Sequence, residues 1–333
     1  MLVGRDQVER RAGRLRRCWR AASVAAAAAI AALMLPGPSA YAGSQSAIFV
    51  SDEHTLSIKR FPIKDTGDLT PKRTIEGSKT GLNQPEQICV DSHGKIWVPN
   101  YVVDTITEFG GGAHGNVKPK NTIAGPATGL SVPNGVAVDA RGKIFVANDG
   151  DSSIRIFAAH SKGNVAPVAV IQGGGTGLGD LHGITLDKND DIWVTTGDST
   201  QAIEEFAASA KGDAAPIVTI SGPKTGLERP VGVALNSQGD VFVTDAFTVS
   251  VFEFAAGANG NVAPIAQIAG AHTGLTNPLG IAIAEPSGDI FVADRDTPAI
   301  YRYAKGSNGS VAPIATIAGT NTGFAALIGL ALH

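Results

Sequence analysis

Hydrophobic positions in this chain fall in short runs, each bounded by turn residues, and the runs come in sets of four. The set is clearest in Thr128–Gly175, where GVAVD (Gly135–Asp139) and KIFVAN (Lys143–Asn148) flank the turn Ala140-Arg141-Gly142. A polar GDSS then leads to IRIFAA (Ile154–Ala159), and HSKGN leads to APVAVIQ (Ala166–Gln172) before a glycine-rich return. None of these runs reaches the roughly ten to twelve residues that would suggest a helix, so the pattern predicts four strands joined by tight turns. The second run reads IFVAN here and IWVPN, IWVTT, VFVTD and IFVAD elsewhere. Its apolar character is almost uninterrupted, as expected where both faces of a sheet are covered.

The set repeats. A Thr-Gly pair recurs at Thr80, Thr128, Thr176, Thr225, Thr273 and Thr322, spaced 48, 48, 49, 48 and 49 residues apart. Pro71, Pro119, Pro167, Pro216, Pro264 and Pro313 keep the same period, and lacking a ladder donor they predict the edge strand of each set. A period of about 40–50 residues with four strands per repeat predicts the blades of a β-propeller. The first set (Ala47–Gly77) lacks its first strand, and the final segment, TGFAALIGLALH (Thr322–His333), contains only that strand. The reading is therefore all-β: a six-bladed β-propeller of four-stranded antiparallel blades, closed by the C-terminal strand completing the first blade. Blades are expected at approximately 44–79 plus 322–333, 80–127, 128–175, 176–224, 225–272 and 273–321.

Residues 1–42 read differently. Seven arginines between Arg5 and Arg20 precede an apolar run from Ala21 to Leu35 and the small-residue pattern Ala40-Tyr41-Ala42. This is the form of a cleaved signal peptide. It predicts a protein that is secreted or held in the periplasm or cell envelope, with no stable membrane span after cleavage. Loss of residues 1–42 removes seven of 27 basic and two of 30 acidic residues, leaving 20 and 28, a net charge of −8. Such a surface repels phosphate backbones, and nucleic-acid partners are not expected. Only Cys89 remains as a thiol, so no disulfide framework exists; its place on a first strand suits a small apolar residue.

The segments PNGVAVDARGKIFVAN (Pro133–Asn148), PVGVALNSQGDVFVTD (Pro230–Asp245) and PLGIAIAEPSGDIFVAD (Pro278–Asp294) resemble the NHL-repeat family of β-propellers, in its secreted bacterial form. The likeness spans essentially all of Ala47–His333. Blade two departs with PEQICVD and blade four with LHGITLD. That family hosts ligand sensors, protein-interaction modules and lyases, so the fold implied leaves the function open.

Candidate chemistry gathers where the first strands begin, at the mouth of the expected channel. The residue before the first-strand glycine, or its equivalent, reads Glu86, Asn134, His182, Val231, Leu279 and Ile328 round the ring. Three polar and three apolar positions suit a pocket that orients a ligand or holds a divalent cation. A more distant likeness to gluconolactonase and senescence-marker propellers implies metal ligation at Glu86 and Asn134, with His182 standing where that pattern has an acid. Likeness to streptogramin lyases lacks their tryptophan-rich WFTE-like second strand. Beyond the second strands, the loop residues Tyr101 and Arg295 are candidate ligand contacts. The regular series Asp52, Asn100, Asn148, Thr196, Asp245 and Asp294, at the ends of the second strands, is expected to cap the turn into the third strand. Two functions follow. The first is a binding module taking a protein or small-molecule ligand at the top face through Tyr101, Asn134, His182 and Arg295. The alternative is a metal-dependent gluconolactonase-like hydrolase or lyase using Glu86, Asn134 and His182, with Glu86 or His182 moving the proton.

Overall fold

A computed structural model of the protein describes residues 45–198 and 200–333. The expected signal peptide at 1–42 lies outside them. The described chain forms six four-stranded antiparallel sheets. The chain is a six-bladed β-propeller. Five sheets are continuous in sequence, and the sixth pairs Leu327–Leu332 with Ala47–Asp52 and its two following strands. The closing register sets Ile48 against Leu332, Phe49 against Ala331 and Val50 against Leu330. Among the described residues, no helix is long and apolar enough to cross a membrane.

The second strand of every blade is buried along its length, as its unbroken apolar pattern requires. Its side chains pack against both neighbouring blades: Phe145 and Ala147 lie with Ile184 and Val194 of blade four, and Val146 with Trp97 and Ile106 of blade two. The core is thus a set of inter-blade seams rather than one central cluster.

The Thr-Gly beat has a local cause. Each repeat threonine is buried, and its hydroxyl donates to the carbonyl three residues back while accepting the N–H two residues ahead. The following glycine has φ between 63° and 82°, where a side chain is disfavoured. The pair therefore fixes the sharp turn that carries the chain from one blade to the next.

One expectation needs correction. The fourth strands are only three or four residues long, as in Ala169–Ile171 and Ala315–Ala318. The recurring prolines sit two residues before them rather than inside them. Neighbouring blades are joined beyond that edge. Asn116, Asn164, Asp213 and Asn261 each accept the N–H of Lys79, Ala127, Gly175 and Lys224 of the preceding blade at 2.6–2.7 Å. Asp68 does the same for Asn321 at 2.7 Å, so the ring closes at its rim as well as at its inner strand.

Candidate functional site

The inner strands crowd the channel. In every blade but the second the inner strand kinks at a bulge where its pairing with the second strand shifts, which brings its glycine against the next blade. A Cβ on Gly135 would lie 2.7 Å from the His182 carbonyl oxygen, and one on Gly280 2.6 Å from that of Ile328. Glycine is required here by close approach. In blades one, four and five a hydroxyl seals the same point. Ser51, Thr195 and Thr244 accept from Gly329, Gly183 and Gly232 N–H and donate to the Glu86, Val231 and Leu279 carbonyls.

Blade two breaks the pattern with Gln87 in the glycine slot. Its backbone N–H still bonds the Asn134 carbonyl at 3.0 Å. Its side chain, however, reaches the Leu279 carbonyl of blade six at 3.5 Å. The departure PEQICVD thus puts an amide across the channel, a consequence that sequence patterning did not reveal.

Glu86 precedes it, half-buried, held by its N–H to the Pro99 carbonyl and its own carbonyl to Ser51. Burial pushes its carboxyl up to about 8, the nearby Glu53 carboxylate adding to the rise and the Arg295 guanidinium opposing it. Those two neighbours form an ion pair between blades one and six, with Arg295 Nε 2.8 Å from Glu53 Oε1. Arg295 is thus tied to a partner, Glu53, that sequence reasoning left among the variable loops.

His182, two blades further round the ring, has its Nε2 buried and without a hydrogen-bond partner. Burial lowers its affinity for a proton, helped by Arg229 and opposed by Asp198 and Asp180. The charges acting on His182 are thus a different set from those acting on Glu86. Asn134, between them, is buried and spends its amide N–H on the Leu181 carbonyl at 2.8 Å. Tyr101 sits on an exposed turn with Val102 and Val103, and Leu56 and Phe247 are exposed on the corresponding loops of blades one and five.

The residues ending the second strands are structural, as expected. Asp245 accepts Glu228 and Arg229 N–H before the inner strand and Phe247 and Thr248 N–H after the second. Asp294 and Asp52 serve the same two segments. A separate acidic trio, Asp187, Asp191 and Glu205 on blade four, offers ligand atoms within 4.8 Å of one another. Sequence reading overlooked it because its members are split between one hairpin turn and the third strand. Cys89 is packed beside the blade-three core, and burial pushes its thiol up to about 12, in keeping with an unreactive small residue.

The fold has solved counterparts. A protein of unknown function from Bacteroides caccae superposes with a TM-score of 0.63 at 12% identity, covering 87% of this chain and 99% of that one. A chain of a nidogen/laminin complex gives 0.62 at 14% identity, covering 86% and 98%. A putative 6-phosphogluconolactonase from Bacteroides uniformis gives 0.56 at 17% identity, covering 83% and 84%. At these identities the likeness is one of fold. No family model matches the sequence, and no curated protein does, so the NHL resemblance rests on the repeat residues themselves.

Proposed function

We propose that the protein is a binding module that holds a ligand at the top-face mouth of its channel. The observation carrying this reading is the Glu53–Arg295 ion pair that bridges blades one and six, with the Glu86 carboxyl of blade two under the influence of both charges. Turn geometry does not need that constellation: the capping residues are separate and already satisfied. Exposed Tyr101, Val102 and Leu56, on the loops that follow the second strands of blades two and one, supply apolar contact area of the kind that interaction surfaces use. The arginine-rich start and the Ala40-Tyr41-Ala42 pattern support action outside the cytoplasm, secreted or in the envelope.

A thermal-shift screen of the full chain tests the proposal. Ligands that raise Tm for the parent, and no longer do so for Arg295→Gln or Tyr101→Ala, are expected. Ligands whose effect survives both substitutions would overturn the assignment of the mouth.

The second reading, a metal-dependent lactonase-like hydrolase or lyase, is favoured by one feature. Glu86 keeps its proton to about 8 while His182 holds its own less tightly than usual, as an acid and a base working near neutrality would. Metal ligation by Glu86, Asn134 and His182 predicts an ion in elemental analysis and a lower Tm after chelation. Neither appearing would leave binding alone.

A further inference from the structure

We infer that blade four carries a site for a hard divalent cation of the calcium class, held by Asp187, Asp191 and Glu205 at the end of its inner strand opposite to His182.

The first ground is a comparison among the blades. Their second strands carry an aromatic residue at one shared position: Phe49, Trp97, Phe145, Trp193, Phe242 and Phe291. In four blades a cation of the protein lies over that ring. Arg60 covers Phe49, Lys95 covers Trp97, Lys143 covers Phe145 and Arg302 covers Phe291, at 5.4–5.9 Å. The two lysines stand two residues before the aromatic, and the two arginines are its third-strand partners. Blade four has an acid at both places, Asp191 and Glu205, and a further acid, Asp187, in the same turn. In blade two Lys95 also pairs with Glu108 at 3.0 Å. Its counterpart Glu205 has Asp191 where that lysine would be. Among the described residues no lysine, arginine or histidine pairs with Asp187, Asp191 or Glu205. Blade five also lacks the cation, but Asn236 replaces its first acid and donates its amide N–H to Asp240 at 2.8 Å.

The second ground is the indole of Trp193. Its Nε1 is buried without a hydrogen-bond partner, in a residue 6% exposed. In blade two the equivalent Trp97 Nε1 donates to Asp91 Oδ2 at 3.1 Å. Trp193 and Asp187 hold the same two positions, and Glu205 is paired beside Trp193, so the orphaned N–H is aimed at the acidic turn. Asp187 Oδ2, however, accepts from Asn189 Nδ2 at 3.1 Å. A cation drawing Asp187 toward Asp191 and Glu205 would return that carboxylate to the indole, an outer contact of the kind that orients metal ligands. Filling the site thus relieves a buried donor that is costly to leave unpaired.

Geometry and donor type set the class of ion. One oxygen from each acid lies within 4.8 Å of the others, the span across an ion held at about 2.4 Å. Asp187 Oδ1 accepts the Asn189 and Asp191 N–H groups, and Asp191 Oδ1 accepts Ala208 N–H, at 2.7–2.8 Å. Both aspartates are therefore oriented by the backbone before any ion arrives. Oxygen donors alone select a hard cation over zinc or copper, and three carboxylates about one point favour two positive charges over one. The turn Asp187-Lys188-Asn189-Asp190-Asp191 has oxygen side chains at alternate positions, as calcium loops do, without the glycine that follows in an EF-hand.

Terbium luminescence and calcium calorimetry on the full chain test the site. Both run at about pH 8, since burial and the neighbouring Asp191 and Asp187 push the Glu205 carboxyl up to about 7. Terbium occupies calcium sites and emits when a tryptophan beside it is excited. Emission is expected, and excess calcium should displace it. It should survive Trp97→Phe and vanish in Trp193→Phe, which still binds calcium by calorimetry. Asp191→Asn, which keeps an oxygen for Ala208, and Glu205→Gln should each weaken calcium binding about tenfold or more. Glu86→Gln should bind calcium as the parent does, and a melting curve for each variant shows that it is folded. Emission that survives Trp193→Phe, or calcium affinity unchanged in both Asp191→Asn and Glu205→Gln, would overturn the site. Binding lost in Glu86→Gln would move the ion to the channel mouth and overturn it equally. Agmatine binding in place of calcium would overturn the divalent class, and no calcium binding at millimolar concentration would overturn the inference outright.

Discussion

At the residue scale, the free energy of Glu86 is open to direct measurement. Its carboxyl ionises near 4.5 in a model peptide but only near 8 in the fold. Between those values the folded state binds more protons than the unfolded one, so this group's contribution to stability falls as pH rises and is flat above about 8. Glu86→Gln removes the titration while keeping the shape of the protonated acid. The variant should match the parent near pH 4.5 and exceed it by roughly 1–3 kcal/mol at pH 9, the full shift being discounted for the solvent reaching this half-buried group. Glu204 and Glu205, also pushed up to about 7 chiefly by burial, shift parent and variant alike and cancel from the difference. Urea unfolding at four pH values checks this, and a gap that does not widen with pH would show that Glu86 is hydrated like a surface acid.

At the scale of the element, the repeating unit is a turn that fixes a strand. Thr176 is fully buried, and its hydroxyl satisfies the Gly173 carbonyl at 2.7 Å and the Leu178 N–H at 3.2 Å. Thr176→Val keeps the volume and strands both backbone groups, at a cost of about 1–3 kcal/mol. Since Thr322 makes the same pair of bonds across the ring, the double variant with Thr322→Val should lose the sum of the two single losses to within about 0.5 kcal/mol. Midpoints in urea at unchanged slope measure each. This turn explains how much was legible beforehand. Thr-Gly pairs and strand cores are local requirements repeated six times, and the inner-strand glycine slot five times, so they showed in the sequence as a period. The outer strands were overextended because a run such as APVAVIQ is apolar throughout, while pairing to the third strand holds only Ala169–Ile171. The candidate site was legible in part, through Glu86 and Arg295. Their meeting with Glu53 depends on loops from blades one and six closing beside blade two, and Gln87's reach to Leu279 depends on the narrowness of the channel. Neither leaves a trace in the spacing of residues.

At the scale of the whole molecule, the place where the chain is cut should matter less than whether the ring is closed. Blade one is assembled from both ends, with His333 O accepting the N–H groups of Ser46 and Ala47 at 2.7 and 2.8 Å. The two ends of the described chain therefore adjoin. Loss of 322–333 would strip the inner edge of Ala47–Asp52 and remove Ala326, Leu327, Ile328 and Leu330, each at most 5% exposed. The seams on both sides of blade one would open, and since every seam is shared by two blades the loss would spread round the ring. A circular permutant tests the converse: a short glycine-serine linker joins His333 to Gln45, and new ends are placed at Gly174, where a side chain would meet nothing within 4 Å. Every blade is then covalently continuous, and all six seams are kept. The permutant should unfold in one transition within a few kcal/mol of the parent, since the linker adds little closure entropy. The truncated chain should show no single sharp transition. A truncation that melts as cooperatively as the parent, or a permutant that does not fold, would mean that the sectors are unequal and that stability resides in some blades rather than in the closed ring.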